Sequence, residues 1–292
     1  MNYKIIHKTE YSYTHPVSLC YNEARLTPRN YAYQHCSDSQ FTVEPEPREC
    51  RERQDFFGNT VYYFTIQQPH NQLTVTVTSR VDVRSGEMQL NFAEHLAWED
   101  IRQQLQTDQD PETLEIRQYI LNSPMIPAMS ELRAYAEQSF TSGRPLLEAV
   151  EDLSTRLYTD FIYDPDFTTI ATPLADVLKY RRGVCQDFAH LGIGCLRALG
   201  FAARYVSGYI ETEPLPGKKP LSGADESHAW FSVYLPQLGW VDFDPTNNQM
   251  PADQHITVAW GRDYTDVTPL KGVVFGSGTH ELSVSVDCKR VF

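Results

Sequence analysis

The chain has 292 residues, 41% of them hydrophobic, with 25 basic against 38 acidic side chains and a formal net charge of −13. That length suits two domains or one large elaborated domain, with enough apolar residues for sizeable cores. The acidic balance repels phosphate backbones and the largest basic cluster is Lys179-Tyr-Arg-Arg182, so nucleic acid is not expected as a partner. No apolar run approaches the roughly eighteen residues that a membrane span needs. The opening residues, Met1-Asn-Tyr-Lys-Ile-Ile-His7, lack the basic-then-apolar order of a secretory signal. The six cysteines (20, 36, 50, 185, 195 and 288) are scattered without a CxxC pair. Both features suit a reducing cytoplasm with free thiols, one bridge among Cys20, Cys36 and Cys50 being left open.

In chain order, residues 3–13 are rich in strand formers, 61–66 more so, and 73–83 alternate apolar and polar positions. Gly58-Asn59 makes a turn before the second run and Pro69-His-Asn71 a loop after it. Antiparallel strands with one wet face predict a sandwich-like domain over 1–88. It holds no concentrated His, Cys or carboxylate cluster, so a scaffolding or substrate-positioning role is expected.

From about residue 90 the period turns helical, predicting helices over 92–98, 111–121, 130–137 and 145–158 in a connecting region, 89–154. Pro111 and Ser130 supply start signals, and Pro124 and Pro127 break the run between them. A core over 155–250 follows. Thr172-Pro173 opens a short helix, 174–180, and a longer helix over 185–199 carries Phe188, Leu191, Cys195, Leu196 and Leu199 on one stripe, ending at Gly200. Strands are predicted over 203–210, 229–235 and 240–243. The last two join through Pro236-Gln-Leu-Gly239, and a Pro/Gly loop bearing Lys218-Lys219 precedes them. Strands over 256–260 and 282–286 complete the fold in 251–292. A helix followed by antiparallel strands is α+β.

Three residues in this outline suit acyl transfer through a thiol. Cys185 opens its helix, where unpaired N–H groups and the positive end of the dipole favour thiolate over thiol. The positions of Phe188 and Ala189 lean it inward over the sheet. His228 stands at the start of one strand and Asp244 at the end of the next, so a hairpin brings them to its open end, given a bulge or register shift. Asp244 would orient the imidazole, His228 would share the thiol proton, and Cys185 would attack a carbonyl with its own N–H as an oxyanion donor. Taken singly, each residue reads as readily as a core thiol, a satisfied strand polar group or a turn. Zinc held by Cys185, His228 and Asp244 or His190 is a competing class, but the spacing matches no compact zinc pattern.

Arg181-Arg-Gly-Val-Cys-Gln-Asp-Phe-Ala-His190, Ser207-Gly-Tyr209, His228-Ala-Trp230 and Gly239-Trp-Val-Asp-Phe-Asp-Pro-Thr-Asn247 together resemble the bacterial transglutaminase-like family, described as candidate cysteine proteases. The resemblance extends to Asp55-Phe-Phe-Gly-Asn59 in the β-rich start and to Val258-Ala-Trp-Gly-Arg-Asp-Tyr264 near the end. It implies a papain-like, transglutaminase-like core with Cys185 as nucleophile, His228 as base and Asp244, rather than Asp242, as the orienting acid. Animal transglutaminases have Trp after the nucleophile where this chain has Gln186. That difference, with no calcium loop in sight, leans away from calcium-dependent crosslinking.

Gln186, Asp187, Tyr209 and Trp230 are candidate substrate-binding residues. For Asp187, about 200° round the helix from Cys185, a first-turn dipole partner is the alternative; His190 reads as structural. The expected function is hydrolysis of a peptide, isopeptide or other amide bond, without metal or cofactor. An amine-accepting transamidase or peptide ligase, and a non-catalytic interaction module on the same fold, are the alternatives. The net charge leans toward neutral or cationic substrates.

Overall fold

The computed structural model describes residues 1–84, 96–211, 227–236 and 238–291. The expected helix over 92–98 falls largely outside the described residues, as do Lys218-Lys219 and the junction at 88/89.

The first six strands are β1 (Asn2–Val17), β2 (Leu19–Ala24), β3 (Gln34–Glu44), β4 (Glu49–Gln54), β5 (Thr60–Ile66) and β6 (His70–Val83). Alternation along β5 and β6 turns Phe64, Ile66, Leu73, Val75 and Val77 inward, and a buried cluster fills the space between two antiparallel sheets.

Helices follow: α1 (Trp98–Thr107), α2 (Pro111–Ile116), α3 (Ser130–Glu137) and α4 (Leu146–Asp160). Asp110 caps α2 by accepting the Glu112 N–H, and a 3-10 turn over Arg117–Ile120 continues it. Next come the short strand β7 (Ile162–Tyr163), helix α5 (Leu174–Tyr180) and β8 (Arg182–Gly183), which pairs in parallel with β7. Helix α6 (Cys185–Ala198) is followed by β9 (Ala203–Ile210), β10 (Ser227–Leu235), β11 (Gly239–Phe243) and β12 (His255–Gly261). The core sheet runs β11-β10-β9-β12, antiparallel throughout. Helix α6 lies across one face, the ring of Phe231 filling the space beside Gly192, where an added Cβ would come within 2.6 Å of it. The expected stripe is buried, Cys195 included.

After the short helix α7 (Tyr264–Val267), the last two strands leave the core. β13 (Leu270–Phe275) pairs with β2 and β14 (His280–Arg290) with β1. The sandwich sheets therefore run β14-β1-β6-β3 and β13-β2-β5-β4. Tyr3, Ile5, Val81, Val83 and Val286 join the same buried cluster as α6 and β9, so sandwich and core share one apolar interior. All six cysteines are free. Among the described residues no helix is long and apolar enough to cross a membrane.

Candidate active site

Cys185 is the first residue of α6 and is half-buried against the core. The chain reaches it through Gly183, where a side chain would meet Asp187 Cβ and Oδ2 at 2.8 Å. Asp187 folds back over that gap, and its Oδ2 accepts the Val184 N–H at 2.9 Å. This is the carboxylate half of a capping box, and the amides of Cys185 and Gln186 in the first turn have no intrahelical acceptor. Burial pushes the Asp187 carboxyl up, against the opposing effect of the Val184 N–H. Asp187 is 3% exposed, its carboxylate turned onto the backbone at the helix start.

His228 enters on β10 and Asp244 follows β11. The ladder between those strands ends at Phe231–Phe243. Beyond it Asp244 exchanges backbone hydrogen bonds with Gln249, closing a turn over 244–249. That turn, in place of a bulge inside the ladder, swings the carboxylate across to His228, whose Nε2–H donates to Asp244 Oδ2 at 2.8 Å. Its Nδ1 is then the nitrogen left for the Cys185 thiol, which acts electrostatically on the same ring. Burial works against charge on His228, but hydrogen bonds to Asp244 and Cys185 and their negative charges outweigh it and raise its pKa to about 10. Asp244 is fully buried, yet hydrogen bonds from His228 and His255, the His228 charge and Asn247 hold its carboxyl well below the usual range.

The Asp244 carboxylate accepts five hydrogen bonds from the described residues. Oδ1 takes the N–H groups of Thr246 and Asn247; Oδ2 takes His228, His255 Nε2 at 3.1 Å and Asn247 Nδ2 at 2.7 Å. His228, Asp244 and His255 place three ligand-type atoms within 4.8 Å of one another. Separations of 2.8 and 3.1 Å to Oδ2 are those of N–H···O hydrogen bonds, and the Asn247 amide directs its own N–H into the oxygen that a cation would need. The donor set fits a hydrogen-bond network better than a metal.

The remaining predicted residues separate. Gln186 is half-exposed beside the thiol. Tyr209 is buried with its hydroxyl 3.1 Å from His7 Nδ1 of β1, so it joins core to sandwich. Trp230 is fully buried, its ring edge-on to His255 at 5.1 Å. It also helps wall a cavity of about 860 Å³ between the outer face of the core sheet and the sandwich, which neither Cys185 nor His228 lines. His190 is buried and accepts the Tyr264 N–H at 3.2 Å; burial lowers its pKa to about 4 despite the charge of Asp263. Sequence reasoning missed His255 and Asn247. Their one signal is position, a histidine at a strand start and an amide next to the Asp-Pro-Thr turn.

The profile of the bacterial transglutaminase-like N-terminal region matches residues 3–82, and that of the transglutaminase-like superfamily matches residues 133–245. The uncharacterized protein Rv2569c of Mycobacterium tuberculosis is 42% identical over 98% of this chain and 91% of its own length. The uncharacterized protein ML0607 of Mycobacterium leprae is 33% identical over 99% of this chain and 98% of its own. The crystal structure of a candidate cysteine protease from Cytophaga hutchinsonii superposes with a TM-score of 0.76 at 23% identity, covering 99% of this chain and 90% of that one, and so shares the fold. With its N-terminal sandwich, its papain-like α+β core and relatives along its whole length, this chain belongs to the bacterial transglutaminase-like family.

Proposed function

We propose that the protein is a thiol acyl-transfer enzyme that hydrolyses a peptide, isopeptide or other amide bond through a thioester on Cys185. The observation that supports this reading is the buried His228–Asp244 pair, held at 2.8 Å through His228 Nε2, with the half-buried Cys185 thiol acting on the same ring. The Cys185 thiolate attacks the carbonyl carbon, and the oxyanion faces the open amides at the start of α6. The tetrahedral intermediate collapses as His228 gives its proton to the leaving amine, leaving the acyl group on sulfur. A water then attacks the thioester, its proton passes to His228, and the adduct collapses to release the acid and restore the Cys185 thiolate beside protonated His228. Asp244 stays ionised and keeps the imidazole proton on Nε2.

Screening a peptide and isopeptide library by mass spectrometry, with wild type against Cys185→Ala, tests the proposal. Cleavage by wild type and none by the variant is expected, and an added primary amine should leave hydrolysis products dominant. Equal turnover by both proteins would rule out the thioester; amine adducts as the main product would make the enzyme a transamidase.

A further inference from the structure

Two imidazoles share one oxygen of Asp244. His228 donates to Oδ2 at 2.8 Å and His255, from β12, at 3.1 Å. The rings are not equivalent. His255 is 4% exposed, and its Nδ1 is buried with no hydrogen-bond partner among the described residues. A proton on that nitrogen would be a buried donor with nothing among the described residues to accept it. The single proton therefore sits on Nε2, directed at Asp244. His228 is held by Asp244 and also feels the Cys185 thiol, and is the ring built to gain and lose charge.

A carboxylate that accepts an additional hydrogen bond is better stabilised as an anion and holds each remaining donor less tightly. We propose that His255 is a positioning residue for the triad: its Nε2–H pins the Asp244 carboxylate and takes a share of its negative charge, so that His228 is oriented firmly yet releases its proton. This rests on the triad reading given above. Among the described residues, the titratable groups facing His228 are Cys185 at the start of α6, Asp244 after β11 and, through Asp244, His255 on β12.

The test is the pH dependence of Cys185 alkylation by iodoacetate, followed by mass spectrometry in the full-length protein. This anionic reagent reacts fastest when thiolate and imidazolium coexist, so the wild-type profile should be a bell whose upper limb reports loss of the His228 proton. His255→Phe and His255→Met remove the N–H and should move the upper limb up by about one pH unit, with the lower limb unchanged. His255→Gln can place an amide N–H where Nε2 stood and should follow wild type. An upper limb unmoved in Phe and Met variants would overturn the inference, as would a Gln variant displaced as far as they are. If both apolar variants fail to fold, the Gln profile decides: coincidence with wild type upholds donation, and displacement overturns it. A wild-type profile without a bell would overturn the triad itself, an outcome distinct from a bell that His255 does not influence.

Discussion

At the scale of single residues, burial and pairing set the site's behaviour. His228 and Asp244 owe their charge states to each other, which ties folding stability to pH. The folded-state pKa of His228 lies near 10, above its ordinary 6.5, so its contribution is fully present below about 6.5 and is lost as pH rises through about 10. Asp244 is shifted down, so its contribution is present above the usual carboxylate range and lost as pH falls through its depressed value. Thermal melts should therefore show a midpoint that falls between about pH 7 and 10, and falls less in His228→Gln; parallel curves would speak against the coupling. Asp187 acts nearby through backbone geometry alone. Asp187→Ala removes the Val184 cap and should cost about 1 kcal/mol in chemical denaturation. It should also slow Cys185 alkylation as the first turn frays, whereas an unchanged rate would mean that α6 starts without the cap.

Among the elements, α6 and the β10–β11 hairpin were legible because local pattern specifies them: an apolar stripe for the helix and apolar runs around a turn for the strands. The exact approach of Asp244 to His228 was not, since it depends on where pairing stops at Phe231–Phe243 and on the turn that Asp244 closes with Gln249. β4 escaped notice for a different reason. Its residues, Glu-Cys-Arg-Glu-Arg-Gln, are all exposed, and charge along a sheet edge protects against further pairing while erasing the alternation that marks a strand. The seat of α6 on β10 is tight at Gly192, so Gly192→Val should wedge the helix off Phe231. We expect about 1–3 kcal/mol of destabilisation by calorimetry, with loss of rapid Cys185 labelling. Labelling as fast as wild type would show that the helix start does not depend on this contact.

For the whole molecule, the sandwich braces the strand that carries His255. The Gln34 side chain accepts the Thr257 N–H at 2.8 Å and donates to the Thr257 carbonyl at 2.7 Å. Asn59 makes the same two contacts with Trp260, at 3.0 and 2.9 Å, and Asp55 holds Asn59 in place. Arg29 stacks on Trp260 at 3.6 Å, and Arg204 on Trp260 at 3.8 Å and on Trp240 at 4.3 Å, extending the joint across the outer face of the core sheet. The Asp55-Phe-Phe-Gly-Asn59 motif, visible in the sequence without an evident task, is thus a docking element. Its partner strand could not be inferred, because β12 joins the sheet beside β9, about fifty residues earlier in the chain, and no local pattern encodes that neighbour. The return of β13 and β14 to the sandwich is non-local in the same way. All of this scaffolding converges on one thiol. The most direct test is iodoacetamide labelling at about pH 6, read by intact-mass and peptide mass spectrometry. One rapid adduct on Cys185, abolished in His228→Ala, is expected; slow labelling spread over the accessible thiols, the same in both proteins, would contradict an activated thiol at Cys185.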